Sequence, residues 1–340
     1  MIENRRLFEL DAMRGLAASS VLLFHFGVFK YGCTGVDLFF IISGFVIFMS
    51  LEKSASLKRF WLSRLIRLFP SYWLSIIITI ASVSLIGHEV SKGLGFVIGN
   101  ALMLQPLFKT TYINSVYWTL YVELLFYSVM SCLWYINQLK NIEWIILFGL
   151  IAISLFNGIH LLIGNSSAWY TRTFIIGRAL FPLVSHFQTF AAGIIFYKWY
   201  TQGVTKSRIF LLLFTIIATG LSHNDSVMIN GYLNTFEHIV CLVFFYIAFV
   251  LVIKNKMKFL RFKLLILLGA ISYPLYLIHE PVAVGLMHYL ATTISTPIAI
   301  VISSLVGLML SYLMTYGFDI PMRRWLKREI IDFKSHLMEV

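Results

Sequence analysis

Stretches of about twenty mostly apolar residues recur along almost the whole chain. A helix needs about 20 such residues to cross the hydrocarbon core of a bilayer. Ten stretches approach this length: residues 11–29, 34–52, 69–87, 117–136, 143–163, 180–198, 208–223, 233–253, 265–289 and 297–318. They predict an all-α fold, a polytopic membrane helical bundle of about ten transmembrane helices that forms a single domain over residues 1–340. A shorter stretch, 94–108, contains polar residues and is interpreted as re-entrant or interfacial.

The composition excludes a soluble globule of this size. Of the 340 residues, 59% are hydrophobic and only 12% are charged, which leaves too few polar side chains to cover a water-exposed surface. The three cysteines, Cys33, Cys132 and Cys241, are isolated in or beside apolar stretches and lack the spacing of metal ligands. We therefore expect no metal site and no disulfide framework.

The distribution of Lys and Arg gives an expected orientation. If the N-terminus is cytoplasmic, 21 of the 27 basic residues fall in cytoplasmic segments, five fall outside and Arg14 lies within the first span. Cytoplasmic loops of membrane proteins carry this excess of positive charge. The pattern predicts that both termini are cytoplasmic and that residues 323–340 form a basic cytoplasmic tail. It also explains the formal charge of +12 without nucleic acid as a partner.

The first apolar stretch contains two side chains that are costly in a membrane, Arg14 and His25. They are eleven residues apart, so a helix brings them to nearly the same face, separated by about 16 Å along its axis. Ionisable groups within membrane spans are rare and usually functional. We take this stripe as the first candidate site.

Three further ionisable residues lie at a similar predicted depth on other spans. Asp37 begins the second span, where it either caps the helix N-terminus or acts beside His25. Glu123, in the fourth span, is either a buried structural partner or a working group. His279, in the ninth span, adjoins Glu280 and Pro281, and the proline frees backbone carbonyls. Intramembrane carboxylates and histidines tend to face the bundle interior, so Asp37, Glu123 and His279 are candidate catalytic residues.

Two arginines lie on the predicted cytoplasmic side, in the amphipathic stretch between the second and third spans. Arg64 and Arg67 are three residues apart and are therefore neighbours on one helix face. One interpretation is an interfacial anchor whose basic side chains reach the headgroups. The other is a cradle for the phosphates of a cofactor.

Five motifs in this order resemble acyltransferase family 3, a family of integral-membrane O-acyltransferases that modify bacterial surface polysaccharides. They are RGLAASSVLLFH, GVDLFFIISGF, SRLIRLFPSYW, WTLYVELLFY and ISYPLYLIHEP. The resemblance covers nearly the whole chain. It places the family's Arg-x10-His motif on Arg14 and His25, and its Arg-x-x-Arg motif on Arg64 and Arg67.

The resemblance implies an enzyme of the bacterial inner membrane that takes acetyl-CoA, or another acyl-CoA, from the cytoplasm and acylates a carbohydrate hydroxyl. His25 is then the expected general base, because neutral imidazole titrates near physiological pH. Asp37 or Glu123 could orient it, with His279 also in the catalytic group. Arg14, Arg64, Arg67 and Tyr72 are the expected cofactor contacts. The alternative is a proton-coupled transporter that uses the same intramembrane groups as a relay.

Overall fold

The computed structural model describes residues 7–85, 93–163, 168–223 and 227–338, and these residues form helices and connecting turns with no β-strand among them. This confirms the all-α prediction. In chain order the α-helices are α1 Phe8–His25, α2 Gly35–Glu52, α3 Leu57–Leu85, α4 Leu94–Leu102, α5 Trp118–Tyr135, α6 Ile142–Ile163, α7 Ala168–Leu180, α8 Leu183–Gln202, α9 Lys206–Ser222, α10 Val227–Asn230, α11 Thr235–Ile253, α12 Lys263–Ile278, α13 Gly285–Leu290, α14 Thr296–Leu313 and α15 Ile320–Met338. The chain divides into two compact units: α1, α2 and α5–α11 form the first, α3, α4 and α13–α15 belong to the second, and α12 begins at the boundary.

Within the described residues, seven helical segments are long and apolar enough to cross a membrane, and the bent pair α7–α8 makes an eighth if it is one span. The chain is thus an integral membrane protein, although the predicted number of ten is not reached. Two of the predicted spans are helices that differ from a typical span. Helix α1 carries Glu9, Asp11 and Arg14 within 18 residues, and α9 has only 17 residues.

Helix α2 forms the centre of the first unit and packs closely against α8. The two helices can approach so closely because each has a glycine against the backbone of the other. A Cβ atom on Gly44 of α2 would lie 2.1 Å from the Phe190 carbonyl oxygen of α8, and one on Gly193 of α8 would lie 2.0 Å from the Ile41 carbonyl oxygen of α2. Small residues commonly permit such close contacts between membrane helices. The Phe40 and Phe190 rings stack beside this contact with centroids 4.7 Å apart.

Gly44→Ala is expected to lower stability by about 1–3 kcal/mol, the usual cost of overpacking a well-packed site. The new methyl group can be accommodated only if α2 and α8 move apart. Gly158→Ala is a matched control, because a Cβ at Gly158 in α6 meets no atom within 4 Å. Thermal unfolding of the detergent-purified variants measures the difference. Equal stability of the two variants would contradict the close contact.

The second unit contains two departures from the sequence-based boundaries. The amphipathic stretch and the third predicted span form one helix, α3, which continues through Pro70. Two π-helical segments, His279–Val284 and Met314–Asp319, interrupt the helices near the end of the chain. Such segments are rare and often occur at functional sites. Helix α4 has nine residues and is too short to cross a bilayer.

Candidate active site

Arg14 and His25 lie on the same helix, α1, as the sequence predicts. The Arg14 guanidinium is 3.6 Å from the Asp11 carboxylate one turn earlier, and its side chain is only 15% exposed. His25 is the last residue of α1 and is half-buried. Its ring meets the ring of Phe24 edge-on, with centroids 5.2 Å apart. One helix therefore presents a cation near its start and an imidazole at its end.

Asp37, in the first turn of α2, forms part of a buried network with two histidines. The His238 Nε2 atom lies 2.9 Å from Asp37 Oδ2, and the Nδ1 atoms of His238 and His223 lie 3.1 Å apart. All three residues are buried, with at most 4% of the surface of each residue exposed. His223 follows directly after α9, so the network joins α2 and α11 to the end of α9, and Asp37 is distant in sequence from both histidines.

The chemistry of the acceptors determines where the protons of this network lie. We assign the Nε2 proton to His238, which donates it to the Asp37 carboxylate oxygen as acceptor. The facing Nδ1 atoms must then share one proton between His238 and His223. Both histidines lie near the ends of apolar stretches in the sequence, where an interfacial position would be the default interpretation, and the structure buries both within the protein.

Glu123 on α5 is held by two hydroxyl groups. Ser43 donates to its Oε1 atom at 2.8 Å, and Tyr127, one turn further along α5, donates to the same oxygen at 2.6 Å. Ser43 belongs to α2, so this carboxylate connects α2 with α5. The two hydroxyl donors fix the orientation of the Glu123 carboxylate.

His279 lies in the second unit, at the start of the π-helical segment His279–Val284. It is 1% exposed, and its Nδ1 donates to the Tyr276 carbonyl at 2.7 Å. The lone pair of the neutral ring is therefore on Nε2. Pro281 supplies no N–H for the preceding turn, and the Leu277 carbonyl accepts a hydrogen bond from Asn114 at 2.9 Å instead. The carbonyls freed near Pro281 are thus used by polar side chains.

The remaining predicted residues, Arg64, Arg67 and Tyr72, lie along α3 in the second unit. The Arg64 guanidinium lies over the Phe60 ring, 5.7 Å from its centroid. Arg67 is half-buried and within electrostatic range of Asp319. Tyr72 is completely buried, and its hydroxyl donates to the Asn100 carbonyl at 2.5 Å. Its hydroxyl is therefore already engaged by the short helix α4.

Comparison with known families identifies the chain's relatives. Residues 7–316 match the profile of the acyltransferase domain, the family that the sequence motifs resemble. The chain belongs to the acyltransferase domain family. Arg14 and His25, Arg64 and Arg67, and the other predicted site residues all lie within the matched part. No solved structure matches the chain at a significant level.

Three relatives illustrate where this acyltransferase domain occurs. The chain is 25% identical over 334 residues to the O-acetyltransferase OatA of Staphylococcus aureus, which covers 85% of the chain and 52% of OatA. It is 33% identical over 94 residues to the peptidoglycan O-acetyltransferase OatA of Listeria monocytogenes, covering 25% of the chain and 15% of that protein. It is 23% identical over 328 residues to the acetyltransferase ORF330 of Acidianus two-tailed virus, covering 93% and 90%. The chain thus spans about half the length of the staphylococcal OatA.

The acyltransferase domain contains its predicted site residues in both units. Arg14, His25, Asp37 and Glu123 lie in the first unit, and Arg64, Arg67, Tyr72 and His279 lie in the second. Sequence reasoning missed His223 and His238, because each lies near the end of an apolar stretch and resembles an interfacial residue. Among the described residues, no group of three or more His, Cys, Asp or Glu side chains is arranged to hold a metal ion.

Proposed function

We propose that this protein is a membrane O-acyltransferase that transfers an acyl group, with acetyl as the first candidate, from acyl-CoA to a carbohydrate hydroxyl. The observation that carries the proposal is the match of residues 7–316 to the acyltransferase domain. Two of the relatives are named as O-acetyltransferases, and the name of one specifies peptidoglycan. The acceptor class we propose is a surface polysaccharide or its lipid-linked precursor.

In the proposed reaction His25 is the general base. Its imidazole removes the proton of the acceptor hydroxyl while the hydroxyl oxygen attacks the thioester carbonyl that the donor supplies. The new C–O ester bond forms, the C–S bond breaks, and the departing thiolate takes up a proton. Half-burial at the end of α1 allows His25 both to meet a substrate and to keep a fixed orientation. Asp37, Glu123 and His279 are proposed to orient reacting groups and to stabilise the charge that develops.

The arginines are proposed to hold the donor. Arg64 and Arg67 occupy neighbouring positions on α3, and guanidinium groups bind phosphates through paired N–H donors. Arg14 is proposed to contact the donor from α1, and Tyr72 is a further proposed contact. The Arg67 environment fits an anionic ligand, because a second arginine, Arg323, lies within electrostatic range of it.

The proposed location is the bacterial inner membrane, with ten spans and both termini in the cytoplasm. Support comes from the excess of Lys and Arg in alternate segments. Helices α1 and α9 and the bent pair α7–α8 would add three spans to the seven found by length and composition. Cysteine labelling at the two chain ends, from each side of the membrane, tests this orientation.

Purified wild-type protein in detergent is expected to release CoA thiol from acetyl-CoA when a carbohydrate acceptor is present. Thiol release is followed with a chromogenic disulfide, and muropeptides and soluble glycans serve as acceptor probes. Mass spectrometry of surface glycans from cells with and without the gene then identifies the acetylated product. Proton flux in proteoliposomes without acetyl-CoA consumption would instead support the transporter.

A further inference from the structure

A cluster of charged side chains lies in the second unit, and two of its three members, Asp319 and Arg323, lie beyond the part of the chain that matches the family. Asp319, at the end of the π-helical segment Met314–Asp319, is 2% exposed and forms an ion pair with Arg323 one turn later in α15. Arg67 on α3 is within electrostatic range of both residues. Both the π-helical segment and α15 pack against α3, so three segments meet around one carboxylate.

The charges of this cluster do not balance. Arg323 is paired with Asp319 and Arg67 is a neighbouring charge, so two arginines and one carboxylate leave an excess of one positive charge in a partly buried environment. Arg323 is 28% exposed at its side chain, and its buried Nε–H has no hydrogen-bond partner among the described residues. A buried donor without a partner destabilises a protein, as does an uncompensated buried charge. An anion that accepts hydrogen bonds would remove both costs.

We propose that Arg67, Arg323 and Asp319 form a phosphate-binding site, in which the arginines contact the phosphate and Asp319 positions Arg323. A guanidinium held by a carboxylate on one edge keeps its other N–H groups in a fixed direction, and phosphate oxygens suit such paired donors. Asp319 thus orients the Arg323 guanidinium, and the cluster of Arg67, Arg323 and Asp319 still has a net positive charge. The basic end of the chain becomes part of a ligand site and not only a cytoplasmic tail.

The ligand chemistry is a phosphate mono- or diester, and two molecules could supply it. One is the nucleotide portion of the acyl-CoA donor, an assignment that rests on the proposed function. The other is an anionic lipid headgroup. Arg67 is one of the expected donor contacts, and its proximity to Arg323 favours the CoA phosphates as the occupant.

Arg323→Gln is expected to weaken the binding of free CoA to the detergent-purified protein by tenfold or more, measured by isothermal titration calorimetry. Arg324→Gln is the matched control, because Arg324 is the next residue on α15 and is exposed. It should bind CoA like the wild type. Asp319→Asn should also weaken binding although it makes the cluster more positive, since the Arg323 guanidinium loses the carboxylate that holds its orientation. In kinetic assays the KM for acetyl-CoA should rise with little change in kcat.

Arg323→Lys keeps the positive charge and is the second test variant, to be used if Arg323→Gln unfolds. It should melt like the wild type yet bind CoA more weakly, because an ammonium lacks the planar fork. Wild-type CoA affinity in a folded Arg323 variant overturns the donor assignment. If the Arg323 variant instead loses a wild-type preference for phosphatidylglycerol over phosphatidylcholine, with CoA binding unchanged, the site belongs to a lipid and the donor assignment is overturned too. Failure of acetyl transfer by a wild type that binds CoA through Arg323 refutes the proposed function alone.

Discussion

His25→Ala is expected to lower the rate of acyl transfer by about 10²–10⁴-fold, the contribution of a positioned general base. The hydroxyl of a sugar is a weak nucleophile, and the variant has no imidazole to remove its proton as the C–O bond forms. The fall should appear in kcat, because the ring does not hold the donor phosphates. The KM for acetyl-CoA should therefore stay close to that of the wild type.

The matched control is His288→Ala, which removes an exposed histidine from α13. Both variants should be inserted and purified in similar yield, because His25 is only half-buried and its loss leaves no large cavity. Addition of free imidazole should restore part of the activity of His25→Ala and leave His288→Ala unchanged. Full transfer by a folded His25→Ala protein would remove His25 from the mechanism.

The membrane class of this chain could be predicted because the thickness of the bilayer fixes the length of an apolar helix. The number of spans was harder to predict, because some helices carry charges or are bent. Helix α1 carries three charged residues, and the break at Pro182 bends the helices Phe174–Leu180 and Leu183–Gln202 by 51°. At Pro70, by contrast, helix α3 continues without a break. A proline removes one hydrogen bond, and the surrounding packing decides whether the helix ends.

The placement of Arg14 and His25 on one helix followed from helical periodicity alone. The partner of Asp37 did not, because His238 is 201 residues away in sequence. A single sequence contains no information about which helices are neighbours, so pairings between distant spans are invisible to it. The same reason explains why Arg323 was assigned only to a basic tail, although α15 packs against α3.

Local sequence patterns also did not identify the partners of the carboxylates Asp37 and Glu123. Asp37 was expected either to cap α2 or to act beside His25, and the structure places it against His238 in the first turn of α2. For Glu123 the sequence left open a buried partner, and Ser43 and Tyr127 supply it. Hydroxyl residues give no charge signal in an apolar helix, so these partners emerge only from the packing.

His238→Phe is expected to lower the free energy of unfolding by about 3–5 kcal/mol, the cost of leaving a buried charged group without its partner. Asp37 and His238 are each 5% exposed at their side chains, so water cannot replace the lost hydrogen bond. Thermal unfolding of the purified protein measures the loss. Glu237→Gln is the neighbouring control. It removes the charge that pairs with Lys30, whose side chain is 48% exposed, and exposed pairs contribute little to stability.

The double variant Asp37→Leu/His238→Phe distinguishes a charge-specific effect from a simple packing defect. Removing both members takes away the uncompensated charge, so the double variant should be more stable than His238→Phe alone. If the ring of His238 only filled space, the two substitutions would add and the double variant would be less stable. Rescue by the second substitution would therefore establish that the carboxylate of Asp37 is held in the protein by the imidazole of His238. Any catalytic role of Asp37 would then have to act through that pair and the adjoining His223.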